Sequence, residues 1–503
     1  MSTTTETPDA PASAPPAPAA KKSKLIPLLA GIAAAALVFF LLPEDLNTPA
    51  KFVAATAILM AVWWMSEALP LAVTALLPLV LFPFLPADGG YVGFKAAAAP
   101  FANPIVFLYL GGFIIALAMQ KWDLHRRFAL SVLSRVGSKS TAIIGGFMLA
   151  TGLLSMFVNN TATAVMMFPV GLAVLSLVTV DGKEDRNFSV ALLLGIAYAS
   201  SIGSVATVIG NVPNAFIKAY MEENHGVTIG FAQWMAAGLP VAVVFGVIAW
   251  LLLTRVAFRP AVKEVAGGRE YFRQQLAELG PMRRADWMIT AVFAGTSLTW
   301  ISLGFLTLSD TVMEAAPWIT AINDSGVVMA AAILLFLLPA DRAGNRILVW
   351  DDTRELPWGL LLLFGGGLSL STQITDTGLS AWIGGRLEFL GGVPVWVAVL
   401  AIAVIILLIT EICSNTATTV TFLPLAAGLA AGFDMNVLIL LIPAGLAANF
   451  AFMLPVATPP NAIVFGSGRI RVADMVRGGA LLNAVAVLLV TLSVFTVFSW
   501  ALM

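Results

Sequence analysis

Apolar runs separated by short polar seams recur along almost the whole chain. They lie at 25–42, 50–68, 69–86, 139–158, 162–180, 188–209, 236–254, 286–306, 326–340, 393–413, 417–432, 435–454 and 476–502. A helical span needs about 20 apolar residues to cross a bilayer core. The pattern predicts an all-α polytopic membrane protein with no room for a soluble catalytic domain. Two stretches stand outside it. Residues 1–24 open with MSTTTETPDAPASAPPAPAA, which has no basic residue and no apolar core, so a disordered tail is expected rather than a signal peptide. Lys21, Lys22 and Lys24 follow directly before the first run and place the N-terminus in the cytoplasm. The longest polar stretch, 255–285, holds seven Lys/Arg against three Glu, so it too is expected to be a cytoplasmic linker.

That linker separates two halves, 25–254 and 286–503, that share landmarks in one order. Asn160-Thr161-Ala162-Thr163 recurs as Asn415-Thr416-Ala417-Thr418. A proline follows nine residues after each first Asn, at Pro169 and Pro424, and a glycine pair precedes it by 49, at Gly111-Gly112 and Gly366-Gly367. Each half then has a Pro-Asn dipeptide, Pro213-Asn214 and Pro460-Asn461, 54 and 46 residues after the Asn. The charged loop from Asp181 to Arg186, longer than its counterpart at Asp434, accounts for the difference. Internal repeats of this kind are the usual construction of secondary transporters.

The repeated landmarks are where polar chemistry enters the apolar runs. Amides and hydroxyls at 159–161 and 414–416 are costly in hydrocarbon unless partnered. Asn, Ser and Thr are also preferred helix caps, and an apolar helical run follows each. A helix broken there presents free N–H groups and about half a positive charge at the start of the new half-helix. If the halves are inverted, two such ends converge near the midplane and bind an anion without Lys or Arg. The alternative is that these side chains join neighbouring helices. Breaks are also expected at 210–214 and 458–461, where proline frees backbone carbonyls, such as that of Ala457, for a cation. The glycine-interrupted runs at about 101–120 and 357–371 allow either re-entrant hairpins or closely packed ordinary spans. Glu67, Asp376 and Glu411, near predicted helix ends, are expected to be satisfied structural carboxylates.

Composition narrows the function. Of 503 residues, 59% are apolar and 11% charged, against about 25% charged in soluble domains. The net charge of -1 gives no pull toward nucleic acid. One cysteine, Cys413, excludes a disulfide framework, and His125 and His225 lie apart beside polar linkers. No nucleophile–base or metal-ligand spacing is present, so an enzyme is not expected, nor any cofactor.

Beyond this point the motifs resemble a known family. The Ser-Asn-Thr-type breaks, the Thr458-Pro459-Pro460-Asn461 segment and the run WWMSEALPLAVTALLPLVLFP over 63–83 look like the divalent anion–sodium symporters, which carry dicarboxylates, citrate or sulfate. The resemblance implies a homodimer in the cell (inner) membrane, with a scaffold and an elevator-like transport domain in each protomer, and two re-entrant hairpins. It implies a first sodium site at Ser155, Asn159, Asn160 and Gly210, and a second at Thr410, Cys413, Asn415 and Ala457. Substrate carboxylates would meet Asn159, Asn160, Thr161, Asn211, Ser414, Asn415, Thr416, Thr458 and Pro459. Two departures lie beside the first cation site: Asn159 stands where the family usually has Ser, and Asn211 where it commonly has Thr. Sodium-coupled uptake of a C4-dicarboxylate is expected. Sodium-independent exchange, or carriage of citrate or sulfate, are the alternatives.

Overall fold

The computed structural model describes residues 24–502 apart from 88–89, 177–178, 181–182, 266, 308–309, 387–392 and 434. The expected N-terminal tail and parts of the compared loops, including Asp181 and Asp434, therefore lie outside the described residues. What is described is almost entirely helix, with two small antiparallel pairings, Pro86–Ala87 with Gly90–Tyr91 and Thr179–Val180 with Lys183–Glu184. Six helices among the described residues are long and apolar enough to cross a bilayer.

Several helices begin where side chains dictate. Asn47, Asn103 and Asn323 accept hydrogen bonds from the N–H groups of Ala50, Ile105 and Gly326. Pro104, which has no N–H to leave unsatisfied, occupies the first helical position after Asn103.

The halves repeat the same run of elements. Pro104–Lys121, Ser140–Ser155, Asn160–Leu175, Arg186–Ser204, Val212–His225 and Phe231–Leu251 are matched by Trp358–Asp376, Val395–Thr410, Asn415–Gly432, Leu438–Ala448, Pro459–Phe465 and Val472–Ser493. The two glycine-interrupted runs are corrected by this structure. Neither 101–120 nor 357–371 contains a hairpin; each is carried by one continuous helix, Pro104–Lys121 and Trp358–Asp376. Their glycines serve close packing instead. A Cβ on Gly111 would lie 2.7 Å from Val328 of helix Asp324–Leu337, and one on Gly366 would lie 2.1 Å from the Ala75 carbonyl oxygen.

The reversals occur at the Asn-Thr breaks. Helices Ser140–Ser155 and Asn160–Leu175 both lie along Arg186–Ser204. Gly195 sits against Met148 of the first arm, Gly171 of the second arm sits against Ile196, and Phe147 and Gly171 are neighbours. The chain must therefore fold back over Met156–Asn159, making a hairpin whose tip carries the motif. In the second half, Val395–Thr410 and Asn415–Gly432 both pack on the 11-residue helix Leu438–Ala448.

Candidate functional site

Each hairpin tip is held by the same three-oxygen arrangement. Ser155 ends the first arm, fully buried, with Oγ 2.8 Å from Asn160 Oδ1 and 2.7 Å from the Ser200 carbonyl. Thr410 ends the corresponding arm, with Oγ1 2.7 Å from Asn415 Oδ1 and 2.9 Å from the Ala448 carbonyl. A hydroxyl has one hydrogen to donate, so each cluster brings more acceptors together than its proton can serve. Oxygen-rich and short of hydrogen, both clusters suit a hard cation.

The helices that follow begin with capped or open ends. Asn159 Oδ1 accepts from Thr161 N at 2.8 Å, whereas Ser414 makes no side-chain cap for the helix starting at Asn415. Asn159, Asn160, Thr161, Ser414, Asn415 and Thr416 are all half-buried, while Ser155 and Thr410 behind them are inaccessible. The tips thus keep an accessible polar face.

The Pro-Asn breaks lie directly behind these tips. The helix Arg186–Ser204 stops, a short 3-10 turn Val208–Gly210 follows, and Asn211 caps Val212–His225 by accepting from Asn214 N at 2.9 Å. Only glycine fits at 210, because a Cβ there would lie 2.1 Å from the Ser204 carbonyl oxygen. In the second half Leu438–Ala448 stops, the chain is irregular to Ala457, and Thr458 caps Pro459–Phe465. The dipeptide asparagines hold both loops. Asn214 Nδ2 reaches the carbonyls of Thr207 at 2.8 Å and Ser204 at 3.1 Å, and Asn461 Nδ2 reaches those of Ala451 and Leu454, each at 3.0 Å.

These pieces form one polar chain across the two halves. Asn160 and Asn211 both donate through Nδ2 to Ser204 Oγ, at 3.4 and 2.9 Å. Asn214 donates to the Ser204 carbonyl, and Asn449 donates to Asn214 Oδ1 at 3.4 Å. The Ala448 carbonyl, one residue before Asn449, lies beside Thr410 and so leads to Asn415. The packing crosses over as well: Asn160–Leu175 lies against Pro459–Phe465, and Asn415–Gly432 against Val212–His225. Three helix starts, at Asn160, Val212 and Asn415, are thereby joined, and no Lys or Arg hydrogen-bonds to this chain among the described residues. Ala457 and Thr458 are buried, Cys413 is buried and free, and Pro459 is exposed outside the polar chain.

The structure adds Ser200, Ser204 and Asn449, which sequence reasoning missed, and gives Asn214 and Asn461, read there only as landmarks of the breaks, the part of holding both loops. Ser200, Ser204 and Asn449 are isolated polar residues in apolar runs, and a count of buried amides and hydroxyls would have flagged them. Glu411 is a satisfied structural carboxylate. It accepts from the backbone N–H groups of Phe452, Met453 and Leu454 at 2.8–3.1 Å and from Asn483 Nδ2 at 2.6 Å. Glu67 and Asp376, expected to be of the same kind, are instead exposed, Glu67 with φ 47° just past the end of its helix.

Comparison with known proteins gives the same class of fold. The family described as the sodium:sulfate symporter transmembrane region matches residues 22–503. A sodium-dependent dicarboxylate transporter, SdcS, of Staphylococcus saprophyticus is 39% identical over 487 residues, covering 94% of this chain and 92% of that protein. SdcS of Staphylococcus aureus strain USA300 is 39% identical over 468 residues, covering 92% and 88%. Among solved structures, the YdaH transporter of Alcanivorax borkumensis aligns with a TM-score of 0.58 at 13% identity, over 91% of this chain and all of that one.

Proposed function

This chain belongs to the sodium:sulfate symporter family, and on that premise we propose that it moves a small dianion, a C4-dicarboxylate such as succinate, malate or fumarate, together with sodium. The single observation that carries the reading is the polar chain joining Asn160 to Asn415 through Ser204, Asn214, Asn449 and Thr410.

Two helix starts offer about half a positive charge each. They do not neutralise two carboxylates, and no basic side chain among the described residues hydrogen-bonds to this network. Sodium supplies the difference. The first ion is assigned to Ser155, Asn159, Asn160 and Gly210, the second to Thr410, Cys413, Asn415 and Ala457, using the acceptor-rich clusters behind each tip. With the ions in place, the accessible faces of Asn159, Asn160, Thr161, Asn211, Ser414, Asn415, Thr416, Thr458 and Pro459 meet the substrate carboxylates. An unneutralised dianion would be held poorly in a low-dielectric site, so cation binding precedes substrate and makes coupling obligatory. The loaded hairpins and broken helices then move as one body against the remaining helices, in an elevator, within a homodimer of the inner membrane whose N-terminus and 255–285 linker are cytoplasmic.

Sodium-independent dicarboxylate exchange is the second reading, favoured by the two departures beside the first cation site: Asn159, whose Oδ1 is taken up in accepting from Thr161 N, and Asn211, whose Nδ2 donates to Ser204 Oγ. Uptake of labelled succinate, citrate and sulfate into proteoliposomes separates them. Succinate uptake driven by an inward sodium gradient is the expected result. Indifference to sodium, with acceleration by internal succinate, would establish exchange.

A further inference from the structure

A cavity of about 690 Å³ opens along the outer side of the first hairpin. One wall is the hairpin's second arm, from Ala162, the residue after Thr161, past Pro169 to Ala173. The facing wall is built by helix Leu124–Leu133, which contributes Arg126, and by the linker helix Gly268–Glu278, which contributes Tyr271 and Gln275. Between Ala162 and Ala173 the arm rises about 17 Å. The cavity therefore runs along this arm from the residue next to the tip motif toward the linker helix.

The charges on its walls are unequal in their freedom. Asp123, three residues before Arg126, is exposed, and water screens it. His125 points Nδ1 at the Met119 carbonyl at 2.9 Å, and burial holds its pKa below the usual imidazole range, so it is neutral near pH 7. Arg127 is committed elsewhere: its guanidinium donates to the carbonyls of Gly280 and Leu279 and lies 3.9 Å from Asp286. Arg126 makes one hydrogen bond, 3.3 Å to Gln275 Oε1, and no ion pair among the described residues. A half-buried, permanently charged guanidinium with most of its donors uncommitted thus faces the cavity.

We propose that this cavity is the corridor by which the dianion reaches Asn160 and Thr161 from the linker side, and that Arg126 is its charge-selecting residue, staging the anion before it meets the hairpin tip. The inference rests on the dianion-carrier reading above. Arg126 bonds to Gln275 and to no residue of the hairpin tip among the described residues. It therefore acts on the approach of the anion and leaves the affinity of the deep site unchanged.

The test compares wild type, Arg126→Gln and Arg126→Cys in proteoliposomes at fixed sodium, with succinate affinity of the purified proteins measured by calorimetry. In Arg126→Gln, kcat/KM for succinate at low ionic strength should fall about threefold to tenfold, with kcat and equilibrium affinity unchanged. The defect should shrink when potassium chloride is raised to about 0.3 M. Arg126→Cys treated before reconstitution with a cationic methanethiosulfonate should regain the wild-type rate, and with an anionic one should fall further, the same reagents on wild type controlling for Cys413. Equal rates in Arg126→Gln and wild type, or a defect blind to salt and to the sign of the attached charge, would overturn the corridor role while leaving the carrier function standing. A wild-type protein that neither binds nor carries any dianion would overturn both.

Discussion

At the scale of single residues, each tip crowds oxygens around one hydroxyl using neutral groups alone. Ser155 and Thr410 each set one hydroxyl among oxygens it cannot all serve, and the repeat places both in the same relation to an asparagine. Glu411 does the opposite work. Its two oxygens take the hydrogens of three consecutive peptides, so the irregular segment after Leu438–Ala448 keeps its shape without helix or strand. Replacing it by Gln would turn an NH₂ group toward those donors and leave at least one of them unpaired. We expect Glu411→Gln to cost about 3 kcal/mol of stability, read as a lower unfolding midpoint in detergent; an unchanged midpoint would show that the loop is held by other contacts. The asparagine–threonine motifs were legible in the sequence because polar side chains inside apolar runs demand partners. The partners of Glu411 were not, since they lie about forty residues away or more and only the fold brings them close.

At the scale of elements, hydropathy located apolar runs but could not tell a turn from a close contact. The glycines near 111 and 366 permitted either a hairpin or tight packing, and the structure decides for packing. The true reversals lie in four-residue tips, 156–159 and 411–414, where the apolar runs do divide but their division does not tell a break from a reversal. A pair of substitutions tests this assignment. Nothing lies nearer than 3.9 Å to a Cβ on Gly112, whereas one on Gly111 would strike Val328 at 2.7 Å. Gly112→Ala should therefore be neutral or stabilising by up to about 1 kcal/mol, and Gly111→Ala destabilising by about 1–3 kcal/mol, both by thermal unfolding. Strong destabilisation by Gly112→Ala would mean that this segment is not a continuous helix.

At the scale of the whole molecule, the duplicated pattern becomes one hydrogen-bonded chain. The halves are tied by the Asn214–Asn449 contact at the breaks and by crossed packing of each hairpin on the other half's short helix. An ion pair between buried Lys218 and half-buried Asp324, at 3.5 Å, anchors helix Val212–His225 to helix Asp324–Leu337 in addition. The order of landmarks along the chain showed that there were two copies; it carried no information on their crossing, which depends on contacts between residues more than two hundred positions apart. The claim that both copies serve a single dianion is tested most directly by a double-mutant cycle on succinate binding at saturating sodium, using Asn160→Ser, Asn415→Ser and the pair, measured by calorimetry. One shared pocket predicts that each substitution weakens binding and that their effects couple by more than about 0.5 kcal/mol. Effects that simply add, or an affinity indifferent to either asparagine, would contradict it.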